Sequence, residues 1–142
     1  VIGAGTLQPV IALAAWTMVM WAWMYATRLP AIGAAKVDLD ELVRDPATSL
    51  DDLLPVGVQW KAHNYNHLHE APTVFYAVAI VLAIIGAGDG LNAHLAWGYV
   101  AIRVVHSLVQ ATVNKVGARS VLFALSSVVL MVLVARAVMV MF

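Results

Sequence analysis

Cysteine is absent from the 142 residues, which removes disulfides, thiolate metal sites and a cysteine nucleophile and leaves histidine, carboxylate, hydroxyl and arginine as the available chemistry. Charge is also scarce, at 11% of residues against about 25% in an ordinary soluble domain. The 8 basic and 8 acidic residues cancel, so nothing in the balance points to nucleic acid or an acidic macromolecule as partner. What the chain has in excess is apolar sequence, 63% of it, arranged in long runs. A hydrocarbon core about 30 Å thick needs roughly 20 apolar residues per helix, so four spans consume most of the chain and leave room for one sizeable loop and no second domain. The expected fold is therefore an all-α membrane protein, a four-transmembrane-helix bundle forming a single domain over residues 1–142 that is in contact with membrane lipids.

The first span is expected over about residues 7–29. No charge occurs from Val1 to Thr27, Trp16, Trp21, Trp23 and Tyr25 crowd one end, and Arg28, Leu29 and Pro30 close it, because proline cannot continue the hydrogen-bond ladder. The opening residue is Val1 rather than Met, so the N-terminus is either missing or processed, and the segment lacks the basic start of a cleavable signal peptide. Residues 30–60 hold Lys36, Asp38, Asp40, Glu41, Arg44, Asp45, Asp51 and Asp52 with Pro46 and Pro55, and read as the one long loop, with a short surface helix around 38–44. The second span, about 61–85, ends at a turn whose Gly86, Gly88 and Gly90 permit positive φ. The third, about 91–113, follows at once as an antiparallel neighbour, and the fourth, about 119–141, has no charge between Ser120 and Ala135.

Arg28, Lys36, Arg44 and Lys61 flank the first loop and Lys115 and Arg119 the third, whereas the second loop has no basic residue. Basic loops stay in the cytoplasm, so both termini and the glycine turn are expected on the far side. Short loops without a retention signal point to a bacterial inner membrane.

An ionisable residue within a span costs a few kcal/mol unless paired or solvated, so Glu70 and Arg103 need a reason to be there. At 1.5 Å per residue they lie ~13 Å and ~18 Å inward from Lys61 and Lys115, close enough in depth for an ion pair that either serves a site or fastens two helices. Arg103, His106, Gln110 and Asn114 share one helical face, and Asn66, His69 or Glu70, and Thr73 make a comparable stripe on the second helix. With Arg119 and Ser120 opening the fourth helix, three helices offer polar groups at one level, where an anionic or zwitterionic small molecule would find Arg119 the strongest ligand. His63, His67 and Glu70 also have i, i+4, i+7 spacing, which suits a divalent metal, and His63, His67, His69 and His106 are the candidates for a metal or haem; the plainer reading gives them hydrogen-bonding and packing roles, with no metal bound. Pro72 is expected to kink the second helix just beyond Glu70.

Arg103 and His106, followed thirteen residues later by Arg119 and Ser120 and then Phe123, resemble the third-to-fourth helix signature of the MAPEG family, the membrane-associated proteins of eicosanoid and glutathione metabolism. Lys61, Ala62, Asn66, His69, Glu70 and Pro72 resemble its second-helix motif, in which a basic residue and alanine precede an asparagine, an acidic residue and a proline. The resemblance implies a homotrimer with glutathione as cosubstrate bound between protomers near the cytoplasmic face. Asn66, His69, Glu70, Arg103, His106 and Gln110 would fall at or beside the ligand-binding positions, with Arg119 stabilising the thiolate and Ser120 offering a hydroxyl. The implied activity is a glutathione-dependent transferase or peroxidase acting on lipophilic electrophiles. There are departures. The arginine expected just before the asparagine is Tyr65, the glutamate position falls on His69 with Glu70 displaced by one residue, about 100° around a helix, and two tyrosine positions are Gln110 and Phe123. The alternative reading is a non-catalytic membrane protein whose polar cluster binds a lipid or quinone-like molecule or secures the oligomer.

Overall fold

The described elements are all helices. A computed structural model describes residues 3–142; Val1 and Ile2, on which the expectation about the N-terminus rests, lie outside the described residues. The first helix, α1 (Leu7–Ala34), continues through Pro30 instead of stopping before it. A proline removes one i→i−4 bond and strains one turn, but the residues on both sides keep their own bonds, and the helix ends only where Ala35 N–H returns to Ala31 O and Lys36 turns to φ +52°. At 28 residues α1 is about 42 Å long, so its last turns extend beyond a hydrocarbon core.

The charged loop carries two short helices, α2 (Leu39–Arg44) and α3 (Leu50–Leu53). Asp38 caps α2 by accepting from the N–H groups of Asp40 and Glu41, and Ser49 and Asp52 form a capping box on α3. The Ser49 backbone N–H and hydroxyl both donate to Asp52 and hold its carboxyl below the usual range. Asp51 fastens the loop to the bundle, accepting from Arg28 Nη2 of α1 and facing His63 Nε2, each at 3.3 Å.

The expected second span is two helices, α4 (Val56–His67) and α5 (Ala71–Ile84), separated by Leu68, His69 and Glu70. Pro72 explains the break. It has no N–H to offer the Leu68 carbonyl and it disfavours helix in the residue before it, so the chain tightens into His69→Asn66 and Glu70→His67 backbone bonds before α5 starts with Pro72 in its first turn. The interruption falls just ahead of the expected kink.

Beyond the glycine turn, α6 (Leu91–Thr112) and α7 (Val116–Met141) form an antiparallel hairpin with the most extensive helix–helix packing in the molecule. Asn114 closes the hairpin at φ +50°. Three stretches are long and apolar enough to cross a membrane: α1, Val56–Ile84 and α7. The fourth long helix, α6, is more polar, and its polar residues face inward: Arg103, His106, Ser107 and Gln110 are all buried. It packs between α4, α1 and α7.

Lys61 Nζ reaches Ala111 O at 3.4 Å and Arg103 Nη2 reaches His67 O at 3.3 Å, which fixes α4 and α6 as antiparallel and puts Asn64 level with Ser107. Lys61 also lies 5.0 Å from the centre of the Trp23 ring. Phe75 stacks on Tyr99 at 4.6 Å in the middle of the core. At the far end the chain before α1 is clasped onto the glycine turn: Gly3 N–H and Gly5 N–H donate to the Asp89 carboxylate at 2.6 and 2.8 Å, and Gly88 N–H donates to Gly3 O at 2.7 Å. A Cβ on Gly88 would collide with the Gly3 carbonyl, so glycine is required there by close approach.

Candidate functional site

Near the α6–α7 turn an open cleft of about 310 Å³ is lined by His67, Glu70, His106, Arg119, Ser120 and Phe123. All but His106 come from a helix end or a break. His67 is the last residue of α4, Glu70 sits in the interruption before α5, His106 faces inward from α6, and Arg119, Ser120 and Phe123 belong to the first two turns of α7. Arg119 is oriented by Asn114, whose Oδ1 accepts from Nη1 at 2.8 Å, so the left-handed residue of the turn also aims the guanidinium. The His67 and His106 rings stack with centroids 6.2 Å apart and planes at 23°.

Behind the cleft the α4–α6 seam is polar and closed. Arg103 is 1% exposed and His106 2%, and Asn64, Ser107 and Gln110 are as deeply enclosed. Among the described residues, Arg103 has Nη2 on the His67 carbonyl, while Arg103 Nε and Nη1, His106 Nδ1, Ser107 Oγ, Gln110 Oε1 and both amide atoms of Asn64 have no protein partner. Buried polar groups left in this state are costly, of order 1–3 kcal/mol each, and such sites concentrate where function outweighs stability.

The ion pair expected between Glu70 and Arg103 does not form. The two agree in depth, but Glu70 leaves the helix at the break and lines the cleft, while Arg103 stays behind it on the His67 carbonyl. The break also corrects the inward stripe on the second helix. Asn66, His69 and Thr73 are exposed, with His69 Nδ1 against Tyr65 O at 2.9 Å and its ring edge-on to Tyr65, so neither Asn66 nor His69 lines the cleft. Glu70, the alternative to His69 in that stripe and one of the expected ligand-binding residues, does line the cleft. Arg103, His106 and Gln110 lie buried on one face of α6, though only His106 of them reaches the cleft wall, while Asn114, expected on the same face, falls beyond the end of the helix in the left-handed turn.

His63, His67 and Glu70 do not converge as metal ligands. His63 is taken up by Asp51, the helix ends between His67 and Glu70, and no group of three His, Asp or Glu among the described residues is arranged to hold an ion. His67, a candidate for metal or haem or for a hydrogen-bonding and packing role, lines the cleft with Arg119 and Ser120, a proximity across separate helices that carries no sequence signal. Asn64 was not foreseen at all. Its position two residues before Asn66 puts it on the face opposite the one expected to point inward.

Cleft, buried arginine–histidine face and interrupted second helix are all found within a stretch whose kinship is now decisive: the MAPEG family model matches residues 6–139. The chain belongs to the MAPEG family. No curated protein and no solved structure matches it. As a MAPEG protein it is membrane-bound and belongs to a family of glutathione and eicosanoid metabolism. In this MAPEG chain the cleft brings together one guanidinium, one hydroxyl, one carboxylate and two imidazoles, a set able to bind a small zwitterion and to move a proton.

Proposed function

We propose that this MAPEG protein binds glutathione in the cleft and that Arg119 stabilises its thiolate for attack on, or reduction of, a lipophilic electrophile delivered from the bilayer. The observation that carries the reading is the convergence of Arg119 and Ser120 with His106 and Glu70 on one cleft wall. A cationic fork beside a thiol favours the thiolate, and Ser120 adds a donor to the same sulfur. In this reading α6 is a fourth crossing: its 22 residues span about 33 Å, and its polar groups are turned into the bundle. The protomers form a homotrimer with the site between copies, so that the exposed Asn66 and His69 of one protomer complete the cleft of its neighbour. The basic loops and the cleft lie on the cytoplasmic side of a bacterial inner membrane.

An apolar groove between α1 and α6, about 610 Å³ and lined by Ala12, Ala15, Trp16, Val19, Trp97, Val100, Ala101 and Val104, is suited to lipid or a lipophilic substrate. The test is turnover by detergent-purified protein of a hydrophobic test electrophile with glutathione. Conjugation or reduction that Arg119→Ala abolishes, with the oligomer intact, supports the reading; an unchanged rate in the variant refutes it.

A second reading is favoured by Phe123, which lines the cleft where a hydrogen-bonding phenol would be expected to meet a thiolate. Here the cleft holds a lipid or quinone-like molecule without chemistry. It predicts a stable oligomer with bound lipid and no glutathione-dependent turnover, and saturable glutathione binding would count against it.

A further inference from the structure

We infer that His67 is the group that takes the thiol proton in the cleft, and that Glu70 offsets the charge it then carries. The inference rests on the thiol-binding reading above and adds to it where the proton goes. Arg119 is permanently charged and can stabilise a thiolate, but it has no lone pair with which to remove the proton. Ser120 is a donor to sulfur and a poor acceptor of a proton. The groups in the cleft able to accept one are therefore His67, His106 and Glu70.

Their surroundings separate them. His106 is 2% exposed, with Nδ1 enclosed and without a protein partner, and it stands one turn from the equally buried Arg103. A positive charge on that ring would add to the buried Arg103 charge one turn away, with Nδ1 enclosed and no carboxylate among the described residues hydrogen-bonded to it. His67 is half-buried at the open end of α4, and neither of its ring nitrogens is enclosed without a partner. The charged and titratable groups around it are Glu70 beyond the break, Arg103 and His106 on α6, Arg119 on α7, and His63 one turn back on α4. Glu70 is the one anion in that set, and the interruption caused by Pro72 is what brings it to the cleft. The His106 ring lies nearly parallel to the His67 ring, with centroids 6.2 Å apart.

The step balances with these groups alone. The S–H bond breaks, its electron pair stays on sulfur beside Arg119, and the proton forms an N–H bond on the His67 ring. When the thiolate forms a bond to the electrophilic carbon and a leaving group departs with its electron pair, His67 returns the proton to that group and becomes neutral again. Proton transfer by a positioned side chain is worth about 10²–10⁴-fold in rate, so His67→Gln should lower kcat by at least about 10²-fold while changing the KM for glutathione much less.

The direct test uses the unaltered protein. Glutathione binding is titrated calorimetrically in two buffers of different ionisation enthalpy, with thiolate formation followed by its ultraviolet absorbance and S-methylglutathione as control. If His67 keeps the proton, thiolate appears with close to no proton released to the buffer; release of one proton per thiolate overturns the inference while leaving glutathione binding in place. Absence of any glutathione binding overturns both readings together. His67→Gln supplies the second arm, since it should restore proton release at whatever pH the thiolate still forms and should lose the low-pH limb of the rate profile. An unchanged pH–rate profile in a variant of intact oligomer also overturns it.

Discussion

Replacing Asp89 by alanine should loosen the end of the bundle opposite the cleft without touching the cleft. The carboxylate accepts the Gly3 and Gly5 N–H groups at 2.6 and 2.8 Å, both within the range of charge-assisted bonds. Such bonds contribute about 1.5–3 kcal/mol each when sheltered, and less when water competes. Asp89 is exposed and only the Gly3 bond is part-buried, so the pair together should contribute about 2 kcal/mol rather than the full sum. A loss of that size lowers the apparent Tm by roughly 6–8 °C in a domain of this length. Asp89→Asn keeps one acceptor oxygen for the same pair of donors and should lose about half as much. The assay is thermal unfolding of the detergent-solubilised oligomer by intrinsic tryptophan fluorescence. Because the start of α6 is about 22 Å along the helix from His106, glutathione affinity should be unchanged in either variant. An apparent Tm for Asp89→Ala equal to that of the unaltered protein would refute the clasp as a stabilising contact.

Gly88→Ala should be at least as costly as Asp89→Ala in the same assay, because its Cβ meets the Gly3 carbonyl and the backbone must move; an unaltered Tm would mean the two segments are not in close approach. Ser49→Ala should raise the titration midpoint of Asp52 part of the way, read by carboxyl NMR shifts, since it removes the hydroxyl bond that favours the charged form and keeps the stronger one from the backbone N–H. A carboxyl depressed in the folded protein contributes stability above its unfolded value that is lost as pH falls through the folded value, so protease sensitivity of the loop should rise at acid pH, and at a higher pH in Ser49→Ala. Arg103→Met preserves the buried stem and removes a charge with one backbone partner and two unpartnered nitrogens, so the ligand-free protein should lose no stability; a loss of several degrees in Tm would show that an anion pairs with Arg103 in the folded oligomer.

Composition and the spacing of apolar runs carried the helical architecture because a bilayer imposes length and polarity together, and a charged stretch of thirty residues between uncharged ones has no other reading. The α6 face was legible for a related reason: a 22-residue helix without proline keeps its phase, so residues at three- and four-residue spacing from Arg103 to Gln110 do share a side. Phase was lost on the second helix. The break at Leu68–Glu70 resets the periodicity, so that of the two residues the stripe left open, His69 or Glu70, it is Glu70 that lines the cleft, and Asn64 was hidden. The similar depths of Glu70 and Arg103 allowed them to meet but said nothing about rotation around each helix, and the pair is not made. Pro30 illustrates the converse, a helix breaker overridden by apolar neighbours on both sides.

The measurement that bears most directly on the account is calorimetric titration of glutathione into the purified oligomer, beside Arg119→Ala. Saturable binding at millimolar concentration or tighter, weakened about tenfold or more (about 1.4 kcal/mol) in the variant, is the predicted result. No binding to an intact oligomer, or equal binding with and without the Arg119 guanidinium, would contradict it.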